Sequence, residues 1–251
     1  MASPAELRLA AFPRETFAAM RAAGLVAPTL QMILRRNLER VAREADCFTA
    51  AAHPVVIKGS RLRPGRIVAQ AAAMTPEAVA PLIALAVEHE KFAAAAGLAR
   101  LSERLLDTPQ AIARLGRGWD WRREMVVRAR VAVGAEDGVI FDWRRLQGDP
   151  ARIDITPLDP AGRRARLRIT WHDPWEPPRA LDRAAARAGE APMRRLSRVD
   201  IAVFARRPGA APSAPAFVSA AFPPTRFAAT RRAPTAGCCW SRSTTTPPGV
   251  G

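Results

Sequence analysis

The residues best suited to chemistry stand together in the second half of the chain, at His172, Asp173, Trp175 and Glu176. A histidine next to an acid at the end of a strand can bind a metal ion or exchange a proton with a substrate. A metal site requires a third ligand, and the sequence offers none at a known spacing. The structural alternative, in which His172 and Asp173 cap the end of a strand, is favoured.

The loop of residues 173–197 is the preferred interaction site. Loops of this length on a β-domain often carry the binding residues. Trp175 and Arg179 place an indole near a guanidinium, which makes a stacking platform for a sugar or an anion. The predicted ligand-binding residues are this pair together with His172 and Asp173. We assign no catalytic residue, no metal ligand and no cofactor.

A second candidate is the pair of carboxylates at Glu88 and Glu90, which flank His89. On a β-strand, residues two apart point to the same face, as two cooperating acids require. Glutamates at this spacing are also common on ordinary exposed strands, and that interpretation is favoured.

The basic segment KGSRLRPGR, residues 58–66, combines glycines with cations and can hold a phosphate. It lacks the GxxxxGKS/T order of a nucleotide-binding loop, so a solvated loop is favoured. The chain also has no GxSxG, HExxH or GxGxxG motif. Its three cysteines, Cys47, Cys238 and Cys239, form neither a disulfide framework nor a CxxC metal pattern.

The net charge of +16 comes almost entirely from arginine, because only Lys58 and Lys91 of the 39 basic residues are lysines. This bias, together with abundant alanine, is typical of a GC-rich genome, so part of the charge reflects codon use. A basic chain can bind nucleic acid, anionic lipid or a polyanionic sugar. The arginines are scattered, often neighbour acids as at Arg152 and Asp154, and accompany no nucleic-acid motif. A solvated basic surface is therefore favoured over a polyanion-binding face, and nucleic acid is an unlikely partner.

Residues 1–80 are predicted to form a helical region. A first helix lies within residues 14–26, and Gly24 is its predicted end. A second opens near Pro28 and carries an apolar stripe that continues to Ala45, opposite a face rich in arginine. Such a helix either lies on a membrane or packs on neighbouring helices, and packing is favoured.

Six apolar or alternating runs between residues 123 and 222 are separated by turn residues, a pattern typical of a β-sandwich. The clearest run alternates Leu167, Ile169 and Trp171 with arginines, which predicts one buried face and one basic, solvated face. The predicted core consists of bulky residues expected to point inward from these runs: Trp143, Leu167, Ile169, Trp171, Val199, Ile201, Val203 and Phe217.

The pattern FDWRRLQGDPARIDITPLD, ARLRITWHD, SRVDIAVFA and SAPAFVS resembles the immunoglobulin-like (PKD-type) β-sandwich domains of uncharacterised, mostly exported bacterial proteins. In those domains a tryptophan on the third strand packs the core, and Trp143 matches it. The resemblance covers about residues 81–224. It implies the fold and a role as a binding or spacer module, but no reaction, because a fold alone does not determine function.

The beginning of the β region is assigned from this resemblance and from local signals. Residues 82–92 are ambiguous between helix and strand, and the resemblance favours a first strand. Residues 93–118 are interpreted as a helical insertion that covers the edge of the sandwich, since Thr108 and Pro109 suit the start of a helix.

The cellular location is left open. No stretch is apolar enough to span a bilayer, and the start MASPAELRLAAFPRE lacks the charged and apolar regions of a signal peptide. Taken literally the sequence is cytoplasmic, whereas the resemblance indicates a periplasmic or extracellular protein. The two agree if Met1 is an internal start and the chain is a piece of a longer exported protein.

The tail, residues 225–251, has no acidic residue and no periodicity. It is interpreted either as a disordered segment or as a translation in a shifted reading frame, since GC-rich codons for this stretch can encode a strand and an acidic loop in another frame.

The sequence therefore predicts an α+β protein with a helical region over residues 1–80 and an immunoglobulin-like antiparallel β-sandwich over residues 81–224. The leading function is a non-catalytic binding or structural module with a glycan or another protein as partner. One alternative is an accessory domain of a hydrolase that acts on sugar or nucleoside substrates and whose catalytic part lies elsewhere. The other is a basic nucleic-acid-binding protein.

Overall fold

The computed structural model describes residues 11–54, 56–96, 99–118, 120–172 and 197–222. Helices come first along the chain and strands follow, so the fold class is α+β. The described α-helices are α1 (Arg14–Ala22), α2 (Val26–Arg36) and α3 (Pro64–Ala72). The described strands are β1 (Leu82–Glu90), β2 (Arg104–Thr108), β3 (Ala111–Leu115), β4 (Arg122–Val133), β5 (Ile140–Gln147), β6 (Ile153–Pro157), β7 (Arg164–Thr170), β8 (Arg198–Arg206) and β9 (Ala216–Ala221).

The helices pack on one another around a small apolar cluster. Met20 of α1, Ile33 of α2 and Ile67 of α3 are buried together in it. Gly24 has a φ of 70°, a left-handed conformation that glycine adopts without strain, and it turns the chain from α1 into α2. None of the described helices combines the length and the apolar character that crossing a bilayer requires.

The second helix ends at Arg36, so the prediction that it continues to Ala45 is wrong. The side chain of Asn37 donates hydrogen bonds of 2.8 Å to the Ile33 carbonyl and to the side-chain oxygen of Gln70. A side chain that bonds the preceding turn in this way competes with the helical backbone pattern. The chain then leaves the helix because its backbone pairs with the segment just before α3.

The strands form two sheets. The first sheet has the order β1-β4-β7-β6 and is antiparallel throughout. The second sheet has the order β2-β3-β9-β8-β5 and is antiparallel except for the parallel pair β3 and β9. The inner faces of both sheets contribute to one continuous hydrophobic cluster, so the sheets are held together by a shared core.

Seven of the eight predicted core residues are buried in this cluster, from Trp143 on β5 to Val203 on β8. The indole nitrogen of Trp143 donates a hydrogen bond of 2.8 Å to the carbonyl oxygen of Gly162, so its one polar atom is satisfied. Gly162 has a φ of 66°, and a Cβ at this position would lie 2.2 Å from the carbonyl oxygen of Phe141. The turn beside the tryptophan therefore requires glycine.

Phe217 is the exception among the predicted core residues. The buried residues of β9 that face the shared core are Ala216, Val218 and Ala220. Phe217 alternates with them, is half-buried and points to the opposite face, where its ring lies 6.1 Å from that of His53. Its assignment to the core between the sheets is wrong because size and apolar character do not reveal which face of a strand a residue takes.

The helical region covers the outer face of the second sheet, so the molecule has three layers. Strand β8 is buried on both faces for this reason. Phe204 points outward from β8, and its ring lies 5.0 Å from that of Phe48 and 5.4 Å from that of His53. These contacts join the helical layer to the sheet.

The predicted helical insertion over residues 93–118 is wrong, because this region contains the hairpin of β2 and β3. Thr108 does not cap a helix. Its hydroxyl donates to the carbonyl oxygen of Ala111 at 3.1 Å and accepts from the amide of the same residue at 3.0 Å, which closes the turn of the hairpin. The preference for a strand over residues 82–92 agrees with β1. The predicted tail over residues 225–251 lies outside the described residues.

Candidate functional site

The predicted interaction site is described only at His172. Asp173, Trp175 and Arg179 lie outside the described residues, so the proposed stacking platform stays a prediction. His172 is buried, with 1% of its surface exposed. Its Nδ1 lies 2.8 Å from the carbonyl oxygen of Thr170, and its Nε2 accepts a hydrogen bond of 2.9 Å from the amide of Asp149. Since an accepting Nε2 carries no proton, Nδ1 is the donor, and the neutral ring joins two loops.

The carboxylates of Glu88 and Glu90 do not form an acid pair. Val87 pairs with Val127 while His89 pairs with the adjacent Val126, so β1 carries an extra residue at Glu88. Such a β-bulge breaks the two-residue alternation on which the prediction rested. Glu88 lies 2.7 Å from Arg164 on the outer face of the first sheet, whereas Glu90 lies 2.6 Å from the inward-facing Arg114.

A cavity of about 400 Å³ lies at this end of the sheets, and we call it the sheet-end pocket. It is lined by the acids Glu88, Glu90 and Asp107 and by Arg104 and Arg114. Arg114 is held between Glu90 at 2.6 Å and Asp107 at 2.9 Å, and Arg104 lies 2.6 Å from Glu90. Two of the acids, Glu90 and Asp107, therefore form short ion pairs with the two arginines, and Glu88 pairs with Arg164, so each charged side chain that lines this pocket has a partner of opposite charge.

A second buried ion pair, which the sequence analysis missed, joins Glu103 to Arg123 at 2.6 Å. The Glu103 carboxylate also accepts hydrogen bonds from the amides of Ala93, Arg117 and Gly118. Burial raises the pKa of Glu103, but these three amides and the Arg123 guanidinium outweigh it and lower the pKa below its ordinary value. This carboxylate therefore holds two loops together, and because it is buried it is not accessible to a substrate.

The described part of the chain contains no group of three or more His, Cys, Asp or Glu side chains arranged to hold a metal ion. The outer face of the first sheet is basic, as the alternation of β7 predicts. Its arginines stand near acids: Arg168 lies 3.0 Å from Glu124, and Arg164 lies 2.7 Å from Glu88. This face has the character of a solvated basic surface.

A different balance of charge occurs in the helical layer. A cavity of about 310 Å³ opens between the end of α2, the start of α3 and the turn between them, and we call it the arginine pocket. Its lining contains three cations and one acid: Arg36, Arg43, Arg66 and Glu44. Two positive charges are therefore in excess within the lining.

The cations of the arginine pocket are only loosely engaged. Arg36 and Glu44 are 3.6 Å apart, and the side chain of Arg43 is 82% exposed and lies 3.6 Å from Asp46. Arg66 is exposed and forms no hydrogen bond or ion pair with any residue in the described ranges. An anion that enters this pocket would meet guanidinium groups that can still donate hydrogen bonds.

The floor of the arginine pocket is neutral and fixed. Asn37 is buried, and its amide group donates to the side-chain oxygen of Gln70, which leaves the Gln70 amide hydrogens for a ligand. Cys47 is also buried, and burial raises the pKa of its thiol above the ordinary value, against the opposing effect of Arg36. No negative charge therefore competes for the arginines at the floor.

Local structure explains how the sequence places these groups. Asp46 accepts hydrogen bonds from the backbone amides of Ala42 and Arg43 at 3.1 and 2.9 Å, which starts the short 3₁₀ turn Glu44–Phe48. These bonds, above all the one from the Arg43 amide, lower the pKa of Asp46. The turn sets Arg43 on one side of the pocket and Cys47 at its floor.

A second basic cavity, of about 200 Å³, lies next to the first, and we call it the lysine pocket. It is lined by Leu38, Arg40, Pro54, Val56, Lys58 and Arg61. The basic segment over residues 58–66 is thus divided, because Lys58 and Arg61 line this pocket while Arg66 lines the arginine pocket. The sequence signal for this region was the combination of glycine and cations, but it did not reveal two pockets.

Comparison of the chain with protein-family models, with curated proteins and with solved structures finds no significant match. The resemblance to immunoglobulin-like domains therefore stays a prediction from the residues that carry it.

Proposed function

We propose that this chain is a non-catalytic binding module, in which an immunoglobulin-like β-sandwich supports a helical layer that binds an anionic ligand. The single observation that carries the proposal is the excess of loosely engaged arginines in the arginine pocket.

The order of the strands supports the immunoglobulin-like part of the proposal. A constant-type immunoglobulin domain places its first, second, fifth and fourth strands side by side in one sheet and its third, sixth and seventh in the other. Here β1, β4, β7 and β6 are neighbours in one sheet, and β5, β8 and β9 are neighbours in the other. The two orders agree if the β2–β3 hairpin is an addition after the first strand. Trp143 then lies on the third strand, as the resemblance expects.

The non-catalytic part of the proposal is supported by how the candidate acids and bases are used. His172 joins two loops through both ring nitrogens. Glu90 and Glu103 are held by arginines at 2.6 Å. These groups are engaged in bonds within the protein, whereas a general acid or base has to reach a substrate.

Binding of inorganic phosphate, measured by isothermal titration calorimetry at about 0.15 M salt, tests the anion site. Arg66→Glu replaces one cation with an acid and should weaken binding by about tenfold or more, because a hydrogen bond to a charged group contributes about 1.5–3 kcal/mol. The matched control is Arg130→Glu, a charge reversal at an exposed position of β4 on the other side of the molecule. It should leave the affinity within about twofold, since exposed charges this far apart are screened.

Two results would contradict the proposal. One is the absence of measurable phosphate binding to the unaltered protein. The other is an equal loss of affinity in the Arg66 and Arg130 variants, which would mean that only the overall charge matters.

A further inference from the structure

The two basic pockets lie on opposite sides of one backbone segment, residues 37–42. Asn37 and Leu38 are neighbours in the chain, yet the first lines the arginine pocket and the second lines the lysine pocket. The same division occurs between Arg40, which lines the lysine pocket, and Val41, which lines the arginine pocket. A single backbone with its side chains therefore separates the two cavities.

Both pockets are basic, and a further arginine stands between them. The lysine pocket contains Arg40, Lys58 and Arg61, of which Arg61 lies 3.2 Å from Glu39. The guanidinium of Arg63 donates a hydrogen bond of 2.7 Å to the carbonyl oxygen of Glu39, within the dividing segment. Positive charge thus continues from one pocket to the other across the segment.

The dividing segment is held in place, so the separation of the pockets is constant. The Glu39 amide donates to the carbonyl oxygen of Arg61 at 2.9 Å, and the Arg63 amide donates to that of Asn37 at 3.0 Å. The buried Asn37 side chain ties the same segment to α2 and α3. The two pockets are thus preorganised half-sites. A ligand that fills both at once loses little binding free energy to ordering of the protein.

From this arrangement we infer that the ligand carries two anionic groups joined by a short spacer, one group in each pocket. The inference rests on the proposed function of the arginine pocket and adds the chemical class of the ligand. A backbone segment with its side chains lies between the two pockets, so two directly linked anionic groups are too close together to occupy both, and a spacer of several atoms is required. A ligand of this kind gains affinity because its second group binds at a high effective concentration.

The test compares alkane bisphosphates of increasing spacer length with the matching alkane monophosphate, and the bisphosphate that binds most tightly is used for the variants. Calorimetry on the full chain should give an affinity for the bisphosphate at least about tenfold tighter than for the monophosphate. Lys58→Glu, an exposed change in the lysine pocket, should remove this gain and leave monophosphate binding within about twofold. Arg66→Glu should weaken the binding of both ligands. Arg130→Glu should leave both affinities, and therefore the gain, unchanged.

The possible results separate this inference from the proposed function. If the monophosphate binds and depends on Arg66, but the bisphosphate binds no more tightly, the two-group ligand is excluded and the anion site stands. If the gain persists in the Lys58 variant, the lysine pocket is not the second half-site and the inference also fails. If neither ligand binds, both proposals fail. An alkane dicarboxylate of equal length identifies the anionic group, because the ligand with the larger Lys58-dependent gain has the chemistry that the pockets select.

Discussion

The sheet-end pocket and the arginine pocket are both concave and rich in charge, but they differ in how the charges are balanced. In the sheet-end pocket, Arg114 has 1% of its side chain exposed and lies between two acids at 2.6 and 2.9 Å. In the arginine pocket, ion pairs are 3.6 Å long and Arg66 has no partner among the described residues. A buried charge has to be paired for the chain to fold, whereas an exposed cation without a partner costs the fold little and can serve a ligand. Charge in a cleft therefore indicates binding only where it is not already neutralised.

The largest expected effect is on stability at the sheet-end pocket. Arg114→Ala leaves the buried Glu90 with only the half-exposed Arg104 as a partner. Breaking a buried pair on one side typically costs about 3–5 kcal/mol of unfolding free energy. The matched change in the other pocket, Arg66→Ala, should alter it by less than about 0.5 kcal/mol. Urea unfolding measures both, and similar losses for the two variants would remove the distinction between the pockets.

The next effect concerns His53, which supports the frame of the arginine pocket. Its Nε2 donates to the carbonyl oxygen of Cys47 at 2.9 Å, and its ring lies 5.4 Å from that of Phe204 on the second sheet. Burial lowers the pKa of His53 from 6.5 to about 4, with a smaller contribution from the positive charge of Arg35. The unfolded chain therefore takes up the proton more readily than the folded chain.

The sign of the pH dependence follows from this lowered pKa. The contribution of His53 to stability is complete above about pH 6.5 and is lost as the pH falls towards 4. Between pH 7 and 4.5 the contribution of His53 to the unfolding free energy should fall by about 2–3 kcal/mol. The unaltered protein should therefore lose about that much more stability than His53→Gln, in which residue 53 cannot take up a proton in this range. Chemical unfolding at the two pH values measures the difference, and equal losses in both proteins would show that His53 does not sense the pH.

A small effect on stability is expected on the outer face of the first sheet. Arg164 lies 2.7 Å from Glu88, but its side chain is 50% exposed. Ion pairs in such a setting contribute about 0–1 kcal/mol, so Arg164→Ala should change the unfolding free energy by less than about 1 kcal/mol and leave phosphate binding unchanged. A larger loss of binding than in Arg66→Ala would move the anion site from the helical layer to this sheet.

The strands were more predictable than the candidate site. The alternation of Leu167 and Ile169 with Arg166 and Arg168 is a local pattern, and β7 has it with one buried and one basic face. The hairpin of β2 and β3 was mistaken for helix, because Thr108 and Pro109 suit a helix start as well as a tight turn. Only pairing with β9, about a hundred residues later, selects the strand.

The charged clusters could not have been found from spacing along the chain. Arg114 meets Glu90 across 24 residues, and Arg123 meets Glu103 across 20. The arginine pocket likewise combines Arg36 and Arg43 with Arg66, which are neighbours only because α2 and α3 pack together. The carboxylates at Glu88 and Glu90 have the right spacing for a pair, but the bulge in β1 separates them.

By itself, the sequence determined the six strands from β4 to β9 and that one face of β7 is apolar and the other basic, because this alternation is a property of the extended backbone. Only the tertiary structure decided that Phe217 faces the helical layer and which arginines meet an acid. These outcomes depend on contacts between residues far apart in the chain. The free energy that selects them comes from burying surface and pairing charge, which no local pattern records.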